Sequence, residues 1–448
     1  MSSTLYRKLA KPLVIAFDNF EGRCAYRCRR FLEKTQWMKG KDLQRLQIKR
    51  LRALLRHAYE NVPYYHESFR KRNFRPDDFK CLEDLCKIPI LKKRVIRGQL
   101  NRMIADNVKK TDLIRRATSG TTAVPLEFYR SKKDVSWGVG AELRGYGWAG
   151  YEVGDKLALI WIIKPKQIKS FKFKVENLLR RCKILNVTNL SERSMEPFAR
   201  EMHRFQPDFI RSYSPFANIF AIFTLENNHF KVRPKAVFTS AQILLPHYRK
   251  TIEETFNCKV YDYYATSEVS HVAAQCGHHE GLHVFEENVV VEIVKDGESV
   301  CPGEGGQVLL TNLHSYGMPF IRYDIGDFGK MLPDTCSCGR KLSLFKPIGR
   351  NHEYFANSDG SFTYLLDFQT VFEDLPIKDF QVVQENYDEI VIKIVRGPGY
   401  TKKHTNFILA KTKIFGPAEL RVELVDSIPI GKTGKVEHVV SKIATKYT

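Results

Sequence analysis

Thr118-Ser119-Gly120-Thr121-Thr122-Ala123-Val124-Pro125 is the stretch on which the reading of this 448-residue chain turns. Hydroxyl side chains crowd around one glycine and a proline closes the segment, so the chain is turn-prone here. Its backbone N–H groups and side chains suit the wrapping of phosphate oxygens. It is not the Gly-Lys-Ser/Thr phosphate loop, whose spacing and lysine are absent. Standing alone, the segment is most simply an ordinary turn. Its company along the chain decides.

That company is Tyr264-Ala265-Thr266-Ser267-Glu268, Arg322-Tyr323-Asp324-Ile325-Gly326-Asp327, Ile348-Gly349-Arg350 and Gly434-Lys435-Val436. In this order and at these separations the segments resemble the motifs of the adenylate-forming ligase superfamily. Within it they are similar to the phenylacetate–CoA ligase-like group that includes capsular-polysaccharide biosynthesis proteins. The resemblance runs from about Leu43 to Lys442. It implies an α/β fold: a large adenylate-forming N-terminal body of several subdomains with a small α+β C-terminal lid domain. It also implies an activity, in which ATP is joined to a carboxylate, pyrophosphate leaves, and the acyl-adenylate passes to a thiol or an amine.

Carried residue by residue, the resemblance gives Thr118, Ser119, Gly120, Thr121 and Thr122 to the leaving phosphates. Glu268 falls to Mg2+, a hard cation that takes carboxylate and phosphate oxygen. Tyr264 and Ser267 of the same motif would bind the nucleotide, Tyr264 lying against adenine, and Asp327 would accept hydrogen bonds from the ribose hydroxyls. Arg350 would face phosphate or ribose, His352 would be the hinge, and Lys435 the catalytic lysine over the α-phosphate. The sequence departs from the pattern at Ala123 and Ala265, where glycine is usual, and at Gln242, a position often held by glutamate.

Cys276, with His278, His279 and His283 nearby, and Cys336-Ser337-Cys338 form a second constellation. Two thiolates one residue apart, a distant cysteine and a histidine suit a tetrahedral Zn2+ site, although unpaired structural thiols fit the bare pattern equally well. Similar cysteines in the resembling branch hold a structural metal, which implies Cys276, His283, Cys336 and Cys338 as the ligands.

Leu43, Leu46, Ile48, Leu51, Leu54 and Leu55 recur at helical spacing, and Asn61-Val62-Pro63 stops that helix. Strands are expected at 157–163, 209–212, 236–239 and 259–263, with helices to about 225 and over 246–256, which reads as parallel crossover units. Beyond Arg350, strands at 380–383, 389–395 and 420–425 with a helix over 401–414 make a small α+β unit. The expected division is 1–112 as a basic helical lead-in, 113–350 as the adenylate-forming body and 351–448 as the lid.

Lys and Arg number 72 against 50 Asp and Glu, a net charge of +22, and residues 1–116 hold 30 basic and 12 acidic residues, or +18 of it. The basicity therefore belongs to the N-terminal quarter, outside the motifs. No run reaches the ~18 apolar residues of a membrane span, nor is there a secretory signal, so a cytoplasmic protein is expected. Without a single-strand stacking platform or a DNA-binding motif, nucleic acid is not an expected partner. The basic surface suits peripheral contact with an anionic inner membrane face or a lipid-linked, phosphorylated glycan. The expected partners of the chemistry are a small carboxylate and CoA or an amine, the amine variant being an amide ligase acting on a surface polysaccharide or its precursor. A non-catalytic, basic surface- or nucleic-acid-binding protein is the rival of another class. Lys435, Glu268 and Asp327 argue against it.

Overall fold

Between residues 259 and 350, β-branched and aromatic residues recur between turns, which is strand-forming chemistry. The computed structural model describes residues 3–118, 125–163, 168–187, 192–350, 354–356, 362–364, 371–372, 375–412, 418–430 and 436–443. The chain divides into two units: residues 1–157, 170–182 and 261–347 form the first, and 158–169, 183–260 and 348–448 the second. Strands are numbered along the whole chain, β3–β6 falling in the second unit.

The first unit begins with α1 (Ser3–Phe20), α2 (Ala25–Thr35), α3 (Gly40–Asn61), α4 (Pro63–Lys71) and α5 (Lys93–Gln99). A hairpin of β1 (Leu113–Ala117) and β2 (Glu127–Ser131) follows, then α6 (Lys132–Trp148) and α7 (Phe171–Leu179). Eight strands complete it: β7 (Lys259–Thr266), β8 (Ser270–Gln275), β9 (Leu282–Val284), β10 (Val289–Lys295), β11 (Glu298–Ser299), β12 (Gly306–Asn312), β13 (Tyr323–Met331) and β14 (Leu344–Arg350). Their order is β11-β10-β12-β13-β14-β9-β8-β7. The pairs β7–β8, β8–β9, β10–β12 and β12–β13 are antiparallel, so the expected parallel pattern stops here. Leu54, Phe69, Phe128, Val308 and Phe320 share one buried core, which makes the basic N-terminal helices part of the body.

α2 approaches α6 closely because Gly140 has no side chain: a Cβ there would stand 2.8 Å from Cys28 Cβ. Arg144 on α6 then donates to both oxygens of Glu287 at 2.7 and 3.1 Å and to the Leu32 carbonyl at 2.8 Å, while Thr35 donates to the same carboxylate at 2.5 Å. Both ion-pair side chains are wholly buried, and deleting one partner of such a pair costs about 3–5 kcal/mol.

In the second unit β3 (Leu157–Trp161), β4 (Cys182–Asn186), β5 (Phe209–Tyr213) and β6 (Ala236–Ser240) lie in the order β6-β5-β3-β4. β5 and β6 are parallel, in register from Phe209–Ala236 to Tyr213–Ser240, as a crossover through a helix requires. The helices are α8 (Glu192–Phe205), α9 (Ser214–Glu226) and α10 (Pro246–Phe256). Towards the C-terminus stand a small hairpin, β15 (Tyr354–Ala356) with β16 (Phe362–Tyr364), and α11 (Lys402–Thr412). A four-stranded sheet contains β17 (Ile377–Gln384), β18 (Glu389–Arg396), β19 (Glu419–Val425) and β20 (Val439–Ser441), in the order β19-β18-β17-β20. Phe220 and Phe256 share a buried core with Phe372, Phe380 and Ile408. No described helix is long and apolar enough to cross a membrane.

Candidate active site and cysteine cluster

Two tyrosine–carboxylate bonds define the first site. Tyr264 on β7 donates to Asp327 Oδ2 at 2.7 Å, and Tyr323 on β13 donates to Glu268 Oε1 at 2.7 Å. β13 and β7 are separated in the sheet by β14, β9 and β8, so the sheet must curl for these side chains to meet. Glu268 and Asp327 are 4% and 8% exposed. Burial and the neighbouring Glu268 carboxylate hold the Tyr323 phenol well above its ordinary pKa, so it stays a donor. The Tyr264 ring packs against Phe345 at 5.1 Å between centroids. Ser267 is exposed in the turn between β7 and β8. Ala265 is not among the left-handed residues, so the methyl it adds costs no backbone strain.

The 118–125 segment joins β1 to β2. Thr118 closes it: its N–H donates to the Leu126 carbonyl and its Oγ accepts from the Leu126 N–H, both at 3.0 Å. Ser119, Gly120, Thr121, Thr122 and Ala123 lie outside the described residues, as do His352 and Lys435; Arg350 ends β14, and its side chain is likewise outside them.

The second unit contains a contact that the motifs did not signal. Gln242 donates to the Val436 carbonyl at 2.7 Å and accepts from the Val436 N–H at 3.1 Å. An amide offers a donor and an acceptor side by side, whereas an ionised carboxylate only accepts, which accounts for glutamine rather than glutamate here. Ala241 holds φ +71°, a conformation that costs an alanine on the order of 1–2 kcal/mol, and Ser214 donates to the Gln242 and Ile243 carbonyls at 3.1 Å. Nearby, the Tyr248 hydroxyl lies 2.8 Å from Asp379 Oδ1 and 3.0 Å from His438 Nε2. Burial lowers the adjacent His247 to about 4. Segment 242–248 thus grips β17 and the approach to β20.

Cys276, His283, Cys336 and Cys338 come together at the ends of β8, β9 and the loop before β14. Their donor atoms all lie within 4.8 Å of one another, with Cys276 Sγ 3.6 Å from Cys336 Sγ and His283 Nε2 3.4 Å from Cys338 Sγ. The sulfurs are too far apart for a disulfide of ~2.05 Å, and close to the ~3.8 Å edge of a tetrahedron built on Zn–S distances of ~2.3 Å. Burial raises Cys276 and Cys336, whereas Cys338, despite burial, is held below the usual thiol range by donors including the Arg340 backbone. Burial drops His283 to about 4, leaving the neutral imidazole that a metal needs. Around the quartet, Ser337 N–H donates to Glu280 at 2.8 Å, and Arg340 lies over Trp37 and Trp148 at 5.0 and 4.7 Å. The donor set fits Zn2+.

Other residues settle into ordinary roles. His271 Nε2 lies 3.3 Å from Glu142, and the Tyr213 ring rests on Trp161 at 4.1 Å. His278 Nδ1 lies 2.7 Å from the Ser337 hydroxyl, and His279 faces Gln275 at 3.5 Å. Cys24 and Cys28 are thiols with sulfurs 3.7 Å apart on α2 and its cap.

A curled antiparallel sheet, a parallel subdomain and a small C-terminal α+β sheet make up the fold of the adenylate-forming ligases. The chain superposes on the crystal structure of 2-hydroxyisobutyryl-CoA ligase in the postadenylation state with TM-score 0.77, covering 91% of this chain and 92% of that one at 19% identity. Its homologues are CapK and phenylacetate–CoA ligases. It is 24% identical over 427 residues to protein CapK of Staphylococcus aureus, covering 90% of each chain. It is 27% identical over 323 residues to the phenylacetate-coenzyme A ligase of Pseudomonas putida, covering 69% and 71%. Residues 355–442 match the model of the CapK C-terminal domain.

Proposed function

We propose that this chain is an ATP-dependent carboxylate ligase. A substrate carboxylate oxygen attacks the α-phosphorus, the bond to pyrophosphate breaks, and an acyl-adenylate forms. An acceptor thiol or amine then attacks the acyl carbon, gives up its proton, and releases AMP. The observation that carries this reading is the pair of tyrosine-fixed carboxylates, Glu268 and Asp327, in a fold shared with relatives named as acyl-CoA ligases.

Attack of one anion on another is slow unless the accumulating charge is offset by groups already in place. Lys435 is assigned to that work at the α-phosphate, Ser119–Thr122 to the leaving phosphates, and Arg350 to phosphate or ribose. Asp327 is assigned to the ribose, with Tyr264 beside it fixing one carboxylate oxygen. Glu268 is of the donor type that Mg2+ takes, and when bound the ion neutralises phosphate charge. Cys276, His283, Cys336 and Cys338 are assigned to Zn2+, which when bound cross-links three strand ends without joining the chemistry. His352 is the proposed hinge between a body over 113–350 and a lid over 351–448, with 1–112 as the lead-in.

CoA is the first acceptor to test, because the phenylacetate–CoA ligases are homologues. An amine is the alternative acceptor, which would make the chain an amide ligase acting on a surface polysaccharide or its precursor. Incubation with ATP, an acid panel and either acceptor, read by mass spectrometry, separates the two: a thioester supports CoA, an amide the amine. Neither product with any acid would overturn the transfer step. A cytoplasmic location, with peripheral contact to an anionic membrane face or lipid-linked glycan, completes the proposal.

A further inference from the structure

We infer that the outward faces of α1 and α7 together form a docking surface for an anionic lipid bilayer. This deepens the peripheral-contact reading just given and rests on it, but it does not depend on the ligase chemistry. The inner face of α1 follows helical spacing: Ala10, Val14 and Asp18 are buried. Its outer face does too, with Leu9, Leu13 and Phe20 exposed and Pro12 and Ala16 between them. On α7, Phe171 and Leu178 stand two turns apart on one side, both exposed, with the exposed Lys174 between them. Scattered exposed leucines are normal in proteins; concentration is the informative feature. Among the described residues, the three most exposed large apolar side chains, Phe20 at 88%, Phe171 at 80% and Leu178 at 74%, all belong to this helix pair.

The two helices are fastened side by side. Tyr6 donates to the Leu178 carbonyl at 3.0 Å, Arg180 pairs with Asp18 at 3.3 Å, and Arg23 bridges Asp18 at 3.0 Å and Glu176 at 3.2 Å. Lys172 pairs with Glu21 in the turn after α1. The acids of the pair are therefore all engaged by arginine or lysine, while Lys8 and Lys174 stand exposed beside the apolar side chains. Apolar side chains flanked by lysine are the chemistry of an interfacial helix, whose rings and leucines enter the acyl boundary while cations meet anionic headgroups. Charge complementarity selects this occupant: a second copy of the chain would bring the same lysines against themselves, whereas an anionic bilayer answers the exposed Lys8 and Lys174 that flank the apolar side chains of this face.

The test uses the full chain and cosedimentation with vesicles at about 0.1 M salt, where exposed charges still act over roughly 10 Å. Binding is expected to phosphatidylglycerol-containing vesicles and not to pure phosphatidylcholine. The triple variant Leu13→Gln, Phe20→Ser, Phe171→Ser leaves the charge unchanged and should bind at least about tenfold more weakly, each lost apolar group contributing to partition. The double variant Lys8→Gln, Lys174→Gln should bind more weakly with a flatter salt dependence. No binding by the intact chain, or undiminished binding by a folded triple variant, overturns the inference. Undiminished binding in the presence of excess single-stranded oligonucleotide is also expected; displacement would instead assign the surface to nucleic acid and overturn it. Pyrophosphate exchange is read on the same samples in solution, so failure of the ligase reading shows separately.

Discussion

The Tyr264 hydroxyl donates a 2.7 Å hydrogen bond to Asp327 Oδ2, joining residues 63 apart in the chain. The bond holds a buried carboxylate in one rotamer, and a hydrogen bond to a charged group is worth about 1.5–3 kcal/mol. Tyr264→Phe should therefore raise the KM for ATP about tenfold or more in pyrophosphate exchange, with a smaller change in kcat. Asp327→Asn, which weakens the acceptor itself, should do more. An unchanged KM in Tyr264→Phe would remove the ribose assignment from Asp327.

Gln242 makes a two-point contact with Val436, the residue that follows Lys435 in the sequence. Gln242→Glu replaces the donor by a second acceptor facing the Val436 carbonyl, so adenylation should slow by roughly tenfold, the cost of a lost bond and a buried mismatch. Transfer from a chemically prepared acyl-adenylate should change far less. Part of the lost rate should return as pH falls, because a protonated glutamate donates again. Equal losses in both half-reactions would make Gln242 merely structural.

His247 carries a pH signature. Burial lowers its folded-state value from 6.5 to about 4, against the raising influence of Asp379. A depressed histidine contributes stability that is fully present above 6.5 and is lost as pH falls towards 4, since the unfolded chain takes up the proton first. Urea midpoints should thus drop between pH 7 and pH 4.5 by the equivalent of about 2 kcal/mol more in the native protein than in His247→Gln. Parallel midpoints would contradict this.

The cysteine cluster predicts about one zinc per chain. Chelation, or Cys336→Ser, should lower the melting temperature and free Cys338 for alkylation, while the remaining folded protein keeps its exchange rate. A metal-free preparation of equal stability would end the assignment.

Legibility in the sequence varied with the kind of signal. The expected helix over 246–256 coincides with α10, and the expected strands at 389–395 and 420–425 lie within β18 and β19, because apolar spacing and turn residues agree there. Cys276 and Cys336, 60 residues apart, are legible as partners in a bare metal-ligand pattern that fits unpaired thiols equally well, and resemblance tips the balance. α6 is not legible in the sequence: Gly138, Gly140, Gly145 and Gly147 oppose helix propensity, and their reasons, the close approach of α2 at Gly140 and Gly147, of Ser270 at Gly138 and of Tyr263 at Gly145, exist only in three dimensions. The antiparallel course of β8, β10 and β12 is not legible either, since many of their positions are buried on both faces and show no clean alternation. Gln242 could be flagged as a departure. Its partner Val436, 194 residues away, could not.

The central claim is adenylation, and carboxylate-dependent exchange of labelled pyrophosphate into ATP with Mg2+ tests it most directly. The account predicts exchange with at least one acid of a broad panel, and a loss of about 10²–10³-fold in Lys435→Ala, the range for removing one preorganised donor of transition-state charge. No exchange with any acid, or full exchange by Lys435→Ala, would contradict it.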